Sequence, residues 1–386
     1  MNKNFTTDTA QTQDSLVHIM LELARAAIWE RTPIIPDTVD INWDELMDMS
    51  KNQGLIAWVW DGICKLPKES QPPRQYRINW GMSAQEIVDR YDLQKKVLGE
   101  MIETCNQNDI RLLLLKGIGL SNIYSKPQLR PSGDIDIYLF EDYEKGNALF
   151  GDGINVFYSK HASFYYHGVH IENHLTPLDT DIKFRRKINN FILSRTDNIS
   201  VTPEGFYVFS PLANLVYLVA HTLHHFQPRQ AVSLRNIIDI AWFTRYYKEE
   251  LYPEHCFRVL SELDIVGAFE LFLIFGEIIL DFEMPEYHFG IVKPEYISEI
   301  RSYILRPGYR FSIPGNLPKR KMVQLFYHYY RQTKRIYKYL PHKRDNLLRA
   351  TIAPSVKRML KIPENVYFSQ GLKNILKSKL DNCKVE

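Results

Sequence analysis

The stretch "RPSGDIDIYLF", residues 130–140, has the composition of a β-strand interrupted by two acidic residues. Side chains on a strand alternate between its faces, so Asp134 and Asp136 share one face while Ile135 and Ile137 share the other. Two neighbouring carboxylates repel each other, at a cost of some tenths to about 1 kcal/mol. The pattern therefore predicts a compensating positive charge, and a divalent cation is the simplest candidate.

A third carboxylate for such a cation is expected from a neighbouring strand. The run "VHIENHL", residues 169–175, alternates in the same way and offers Glu172. Asp179 is an alternative, because no fixed spacing distinguishes the two. Magnesium prefers oxygen ligands, and manganese is the alternative metal. Metals held by such carboxylates can bind the phosphates of a nucleoside triphosphate (NTP) for in-line attack, so Asp134, Asp136 and Glu172 are the predicted catalytic and metal-binding residues.

Residues that can contact phosphate flank the aspartates. The segment "LLKGIG", residues 114–119, predicts a strand, a glycine turn and a helix whose amino end favours anions. The side chains of Lys116 and Arg130 are cations that can reach a phosphate, or they are ordinary ion-pair partners of the aspartates. The predicted phosphate-binding residues are Lys116, Gly117, Arg130, Ser132 and Gly133.

The periodicity of the chain predicts three regions. Residues 1–108 read as helical, residues 109–205 as a compact mixed core of short strands and helices, and residues 206–386 as helical again. The predicted fold is therefore α+β, with a small mixed β-sheet flanked by helical amino- and carboxyl-terminal regions.

Local signals mark the boundaries of several elements. Residues 43–63 predict two helical stretches bent near Gly54, and residues 84–110 predict one long amphipathic helix. A short buried strand is expected at 111–117, and His167-Gly168 is expected to form a hairpin turn.

Composition excludes several classes of protein. The chain has 386 residues, 45% apolar and 24% charged, which is typical of a globular protein. The amino terminus lacks an apolar signal core, and the apolar run 269–280 is too short to span a bilayer. The expected location is the cytoplasm. The four cysteines form no CxxC pair, which argues against a zinc knuckle or a disulfide framework.

Positive charge is concentrated at the carboxyl end. Residues 301–386 carry 20 Lys/Arg against four Asp/Glu. Such a region can bind RNA or an acidic partner, or it can dock on the acidic remainder of the chain. The tyrosine-rich segment 325–340 could stack on bases, although its helical spacing also suits a packed amphipathic helix.

Two further patterns occur in the carboxyl-terminal helices. In "AHTLHHF", the side chains of His221, His224 and His225 share a helix face, which indicates packing or substrate-facing roles more than a zinc site. Arg235 and Asp239 stand four residues apart and predict a helix-surface ion pair.

Together these motifs resemble a known family. "LLLLKG", "LRPSGDIDI" and "VHIENH" resemble the glycine turn, D-x-D strand and third carboxylate of the uncharacterised nucleotidyltransferase family, within the DNA polymerase beta superfamily. Segments 43–63, 210–243 and 303–311 are similar to the family's flanking segments. The superfamily turn usually continues with Gly or Ser, where this chain has Ile118, and Ser132 could supply that hydroxyl contact instead.

The resemblance implies a magnesium-dependent nucleotidyltransferase. It would move a nucleoside monophosphate from an NTP to a hydroxyl-bearing acceptor, with Asp134, Asp136 and Glu172 as metal ligands. Two alternatives remain open: a non-catalytic nucleotide-binding or scaffold module with the same fold, and an RNA-directed transferase that uses the basic carboxyl-terminal region.

Overall fold

A computed structural model describes residues 5–36, 41–151, 156–157, 161–178, 183–195, 199–225 and 232–294, with residues 297, 301, 304 and 305. Three sequence features lie outside the described residues: Asp179, the segment 325–340, and nearly all of the basic region that begins at residue 301.

Helices dominate both ends of the described chain. In the described residues, four α-helices precede the first strand of the sheet, three lie among its strands and four follow its last strand. Their bounds are Phe5–Ile28 (α1), Trp43–Gln53 (α2), Ile56–Cys64 (α3), Arg74–Gln107 (α4), Ile118–Ser121 (α5), Tyr143–Phe150 (α6), Lys183–Leu193 (α7), Pro211–His225 (α8), Leu234–Tyr246 (α9), Pro253–Glu262 (α10) and Val266–Leu280 (α11).

Seven short strands in the described part of the chain form one mixed sheet. The strands are Leu113–Leu114 (β1), Ile135–Tyr138 (β2), Val156–Phe157 (β3), His161–Tyr166 (β4), Val169–His174 (β5), Ser200–Val201 (β6) and Tyr207–Val208 (β7). Their order is β3-β4-β5-β2-β1-β7-β6. The β2–β5 and β1–β7 pairs are parallel, and the remaining pairs are antiparallel. The predicted α+β fold is confirmed.

Strand alternation separates two layers of core. Ile135, Ile137 and Ile171 belong to one buried cluster with Val97 and Met101 of α4. The opposite face of the sheet is turned towards a larger cluster that the other helices build, and Leu113, Leu115 and Tyr138 belong to it. Asp136 shares this second face with Tyr138, because the two are separated by one residue of the same strand.

Several predicted boundaries hold and others shift. The bend at Gly54 separates α2 from α3, where its left-handed backbone ends α2. His167 and Gly168 both have positive φ, 47° and 82°, and join β4 to β5 as a hairpin. α4 begins ten residues before the predicted start, directly after Pro73, since proline is favoured at a helix start.

No helix in the described part of the chain is both long enough and apolar enough to cross a membrane. The apolar run 269–280 lies within α11, which is buried against α9 and other helices.

Candidate active site

The turn after β1 brings two predicted phosphate-binding segments into contact. Gly117 has φ +66°, in the left-handed region that favours glycine. A Cβ there would lie 2.9 Å from Ser132 Oγ and 3.2 Å from the Asp134 carbonyl oxygen. The Ser132 hydroxyl donates to that same carbonyl over 3.1 Å. Only glycine therefore allows the turn to pack this closely against the segment that leads into β2.

The helix after this turn is shorter than the sequence suggests. α5 contains four residues, and Ile118 at its start is 5% exposed and packs in the core. Because the dipole of a helix grows from its aligned peptide units, a single turn has little attraction for an anion. The short helix therefore gives little support to the anion site predicted at its amino end.

Asp136 is the buried centre of the candidate site. Its side chain is 0% exposed, and the parallel register of β2 and β5 places it opposite Glu172. Lys116 Nζ lies 2.7 Å from Asp136 Oδ2 and 3.6 Å from Asp134 Oδ1. His174 Nε2 lies 3.0 Å from Asp136 Oδ1 and 3.5 Å from Glu172 Oε2. The two oxygens of Asp136 are thus each in contact with a basic side chain.

Two overlapping groups of side chains have the spacing of metal ligands. The ligand atoms of Asp134, His170 and Glu172 lie within 4.8 Å of one another, and so do those of Asp136, Glu172 and His174. Glu172 belongs to both groups. Carboxylate oxygens suit Mg²⁺ and Mn²⁺, and imidazole nitrogens suit transition metals such as Mn²⁺ better than Mg²⁺. The donor set therefore fits a divalent cation.

Burial and ion pairing set the charges of these groups. Burial alone would raise the pKa of Asp136, but Lys116 and His174 hold it well below its usual value. Burial would lower the pKa of His174, yet its hydrogen bonds to Asp136 and Glu172 raise it to about 9. Burial and the neighbouring Asp136 charge raise the pKa of Asp134. At neutral pH two cations, Lys116 and protonated His174, therefore partly neutralise the carboxylates.

Sequence analysis missed the two histidines beside Glu172. His170 and His174 occupy alternate positions of β5 and so share the face of Glu172. Ser163 Oγ on β4 lies 2.7 Å from His170 Nε2 and orients that ring. The signal was present, because the alternation in residues 169–174 that indicated Glu172 indicates both histidines equally.

A tyrosine from α8 also borders the carboxylates. Tyr217 is 0% exposed, and its hydroxyl has no hydrogen-bond partner in the part of the chain that the structure describes. Burial and then the charge of Asp136 raise the pKa of Tyr217 well above its usual value. His221 stacks on Tyr217 at 5.7 Å between ring centroids, which is a packing contact. The side chains of His224 and His225 lie outside the described residues.

Arg130 has buried partners of its own. Its guanidinium donates to both carboxylate oxygens of Asp239, at 2.8 and 2.7 Å, and to the Gly117 carbonyl at 2.9 Å. The Tyr124 hydroxyl donates to the same carboxylate. The predicted surface pair of Arg235 and Asp239 is therefore wrong, because Asp239 is buried and pairs with Arg130 instead. The phosphate contact predicted for Arg130 would have to compete with these bonds.

A shallow cavity of about 390 Å³ lies elsewhere, on the surface of α3 and α4. Its lining contains no carboxylate and none of the residues of the candidate site, so it does not alter the assignment. The lining residues are Trp60, Cys64, Gln71, Arg74, Arg77 and Ile78.

Comparison with known proteins gives one match. A family model described as an uncharacterised nucleotidyltransferase matches residues 39–280, which is more than half of the chain. No curated protein matches the chain, and no solved structure matches it either. The matched range includes the glycine turn, both aspartates and Glu172. The chain therefore belongs to the uncharacterised nucleotidyltransferase family.

Proposed function

We propose that this protein is a metal-dependent enzyme that transfers a nucleoside monophosphate from an NTP to a hydroxyl group of an acceptor. The observation that carries the proposal is the parallel register of β2 and β5. It sets Asp136 opposite Glu172 and gathers three carboxylates and two imidazoles within ligand distance. Family membership supports a transferase role for this cluster.

The residues that would hold the metal are Asp134, Asp136 and Glu172, with His170 and His174 as additional ligands. Mg²⁺ or Mn²⁺ bound there would neutralise charge on the triphosphate and lower the pKa of the attacking hydroxyl. The imidazoles favour Mn²⁺, because a nitrogen ligand costs Mg²⁺ more than it costs a transition metal.

Lys116 is proposed to change partners when the nucleotide binds. Its ammonium lies between Asp134 and Asp136, and their charges overcome the effect of burial and raise its pKa. Lys116 is therefore charged, and it directly precedes the Gly117 turn. An ammonium released from the aspartates would pair with a phosphoryl oxygen at the same site.

Two measurements test the proposal. Calorimetric titration of NTPs in the presence of Mg²⁺ or Mn²⁺ measures binding. Transfer of label from an α-labelled NTP to a panel of hydroxyl compounds, sugars, proteins and RNA ends measures activity. We expect metal-dependent NTP binding in the parent and loss of binding and transfer in Asp136→Asn. The matched control is Glu141→Gln, whose carboxylate follows the same strand but is 75% exposed. Equal binding and transfer in Asp136→Asn and the parent would overturn the proposal.

One observation favours a second candidate, a nucleotide-binding module without catalysis. Both oxygens of Asp136 have basic partners, Lys116 and His174, so two positive charges already offset part of the negative charge of the site. Such a module would bind NTP equally well with and without a divalent cation. Binding without turnover on every acceptor, unchanged in Glu172→Gln, would decide for this candidate.

A further inference from the structure

Two arginines reach the turn that leads into β2, and they differ in their partners. Arg130 is 4% exposed and forms a two-pronged ion pair with Asp239. Arg235 lies in the first turn of α9, and none of the described residues forms an ion pair with it. One of the two guanidinium charges at this turn is therefore paired, while the other lacks a carboxylate.

The structure fixes the position of Arg235. Its Nη1 donates to the carbonyl oxygen of Pro131 over 2.7 Å, whereas its Nε is buried and has no hydrogen-bond partner in the described part of the chain. The side chain passes over Gly54 at the end of α2, where an added Cβ would lie 3.4 Å from Arg235 Cβ and 3.8 Å from Arg235 Nε. The arginine stem therefore packs beside Gly54 at ordinary van der Waals distance.

The charge of Arg235 is only partly compensated. Burial and then the neighbouring Arg130 charge lower the pKa of Arg235, and these effects outweigh the attraction of Asp239 and Asp134. A guanidinium stays protonated in proteins even so. Taking a charge out of water costs free energy unless an opposite charge or hydrogen bonds replace the solvent. The partly buried guanidinium of Arg235 is therefore a positive charge that an anion would stabilise.

We propose that Arg235 binds a phosphoryl oxygen of the NTP. This inference rests on the proposed function and adds a residue from outside the sheet to its nucleotide site. Pro131, whose carbonyl accepts from Arg235, is followed directly by Ser132, Gly133 and the candidate metal ligand Asp134. A Cβ added at Gly133 would have no described atom within 4 Å, so there is open space beside this backbone for a ligand.

The other cations of the site are already engaged. Lys116 contacts two aspartates, and Arg130 is held by Asp239 and by the Gly117 carbonyl. The Arg235 guanidinium donates from Nη1 to the Pro131 carbonyl, and its planar fork of N–H groups suits bidentate contact with phosphate. Of these three cations, Arg235 is the one that can bind the triphosphate without first breaking an ion pair to a described residue.

A structural role for Arg235 makes the opposite prediction about stability. In that case Arg235 would serve only to bind the Pro131 carbonyl and to lie beside the carboxyl end of α2, whose partial charge is negative. Removing the guanidinium would then destabilise the fold and leave nucleotide affinity unchanged. The ligand role predicts that stability without ligand is unchanged or higher, because a partly buried positive charge with no ion-pair partner among the described residues is removed.

The test uses the full chain with Arg235→Met, which keeps an unbranched apolar stem, and Arg235→Gln. Arg245→Gln is the control, since Arg245 lies at the far end of the same helix, over the ring of Trp29. Inorganic tripolyphosphate and Mg²⁺–NTP are titrated by calorimetry, and thermal unfolding is followed with and without tripolyphosphate.

For both Arg235 variants we expect NTP to bind about tenfold more weakly than to the parent, or weaker still. A tenfold loss corresponds to about 1.4 kcal/mol in binding free energy. We also expect loss of the stabilisation by tripolyphosphate, with a melting temperature in the absence of ligand no lower than that of the parent. Unchanged affinity, loss of folding in both variants, or an equal loss of affinity in Arg245→Gln would overturn the inference. If the parent itself binds neither tripolyphosphate nor NTP, the proposed function fails as well.

Discussion

The two faces of strands β2 and β5 are built from alternate residues of the same short segments, and they have opposite physical character. On one face Ile135, Ile137 and Ile171 are at most 1% exposed and pack with α4. On the other face Asp136 lies opposite Glu172, and Lys116 and His174 supply the compensating charges.

The difference shows how an apolar pattern fixes the geometry of a polar site. A slip of one residue in the pairing of β2 with β5 would turn side chains to the other face, and would place isoleucines among charged groups and carboxylates in the apolar core. The free energy of burying Ile137 and Ile171 therefore also holds Asp136 opposite Glu172. The apolar face should determine stability, and the polar face should determine metal and nucleotide affinity.

The largest effect on stability is expected where polar groups themselves are buried and paired. Asp239→Ala leaves the Arg130 guanidinium and the Tyr124 hydroxyl without their shared carboxylate. We expect a loss of about 3–5 kcal/mol in the free energy of unfolding, because an unpaired buried charge remains. Urea denaturation measures it, with Glu249→Ala, a carboxylate that is 86% exposed, as the control. A loss below about 1 kcal/mol would mean that the pair is dispensable.

The second largest effect on stability is expected from a substitution on the apolar face of β2. Ile137→Ala should lower the free energy of unfolding by about 2–5 kcal/mol, since it removes buried methyl groups and leaves a cavity against α4. The control is the same substitution at Ile278, which is 53% exposed, where a change within about 0.5 kcal/mol is expected. Measured on the folded fraction, metal affinity should not change in either variant. A large loss of affinity with little loss of stability in Ile137→Ala would reverse the proposed roles of the two faces.

On the polar face, Glu172→Gln should affect binding more than folding. Glu172 belongs to both candidate ligand groups, so the substitution removes one negative charge from each. We expect about 100-fold weaker Mn²⁺ binding, which corresponds to about 2.8 kcal/mol. Direct metal titration measures it, and Glu141→Gln should bind as the parent does. Unchanged Mn²⁺ affinity in Glu172→Gln would show that Glu172 is not a metal ligand, and would favour Asp179 as the third carboxylate.

The smallest predicted effect concerns a residue that only orients a ligand. Ser163→Ala removes the hydroxyl that lies 2.7 Å from His170 Nε2. Loss of such a contact typically weakens metal binding, here by about tenfold, without changing which residues bind the metal. The same titration on Ser200→Ala, an exposed serine of β6, gives the baseline. An effect as large as that of Glu172→Gln would show that Ser163 does more than orient the ring.

Sequence patterns could predict the features that depend on neighbouring residues. Alternation along one strand placed Asp134 and Asp136 together, and their repulsion predicted a compensating positive charge. Lys116 contacts both aspartates, and His174 contacts Asp136. The hairpin at His167-Gly168 follows from local turn chemistry in the same way.

Pairings between distant segments could not be predicted. Asp239 is four residues from Arg235 along α9, and that spacing favoured a local pair. The fold brings Arg130 to Asp239 from a different segment, and burial makes that bidentate pair the stable one. The position of Tyr217 beside the carboxylates depends likewise on how α8 packs over the sheet. The local sequence pattern of α8 does not predict that packing.

The most direct test of the central claim is Mn²⁺ binding to the full chain, followed by electron paramagnetic resonance in the presence and absence of NTP. The account predicts that the parent and Glu141→Gln bind Mn²⁺ with the same affinity, that NTP strengthens this binding, and that Asp136→Asn binds at least about 100-fold more weakly. Equal Mn²⁺ affinity in Asp136→Asn and the parent would contradict the assignment of the polar face of β2 and β5 as the metal and nucleotide site.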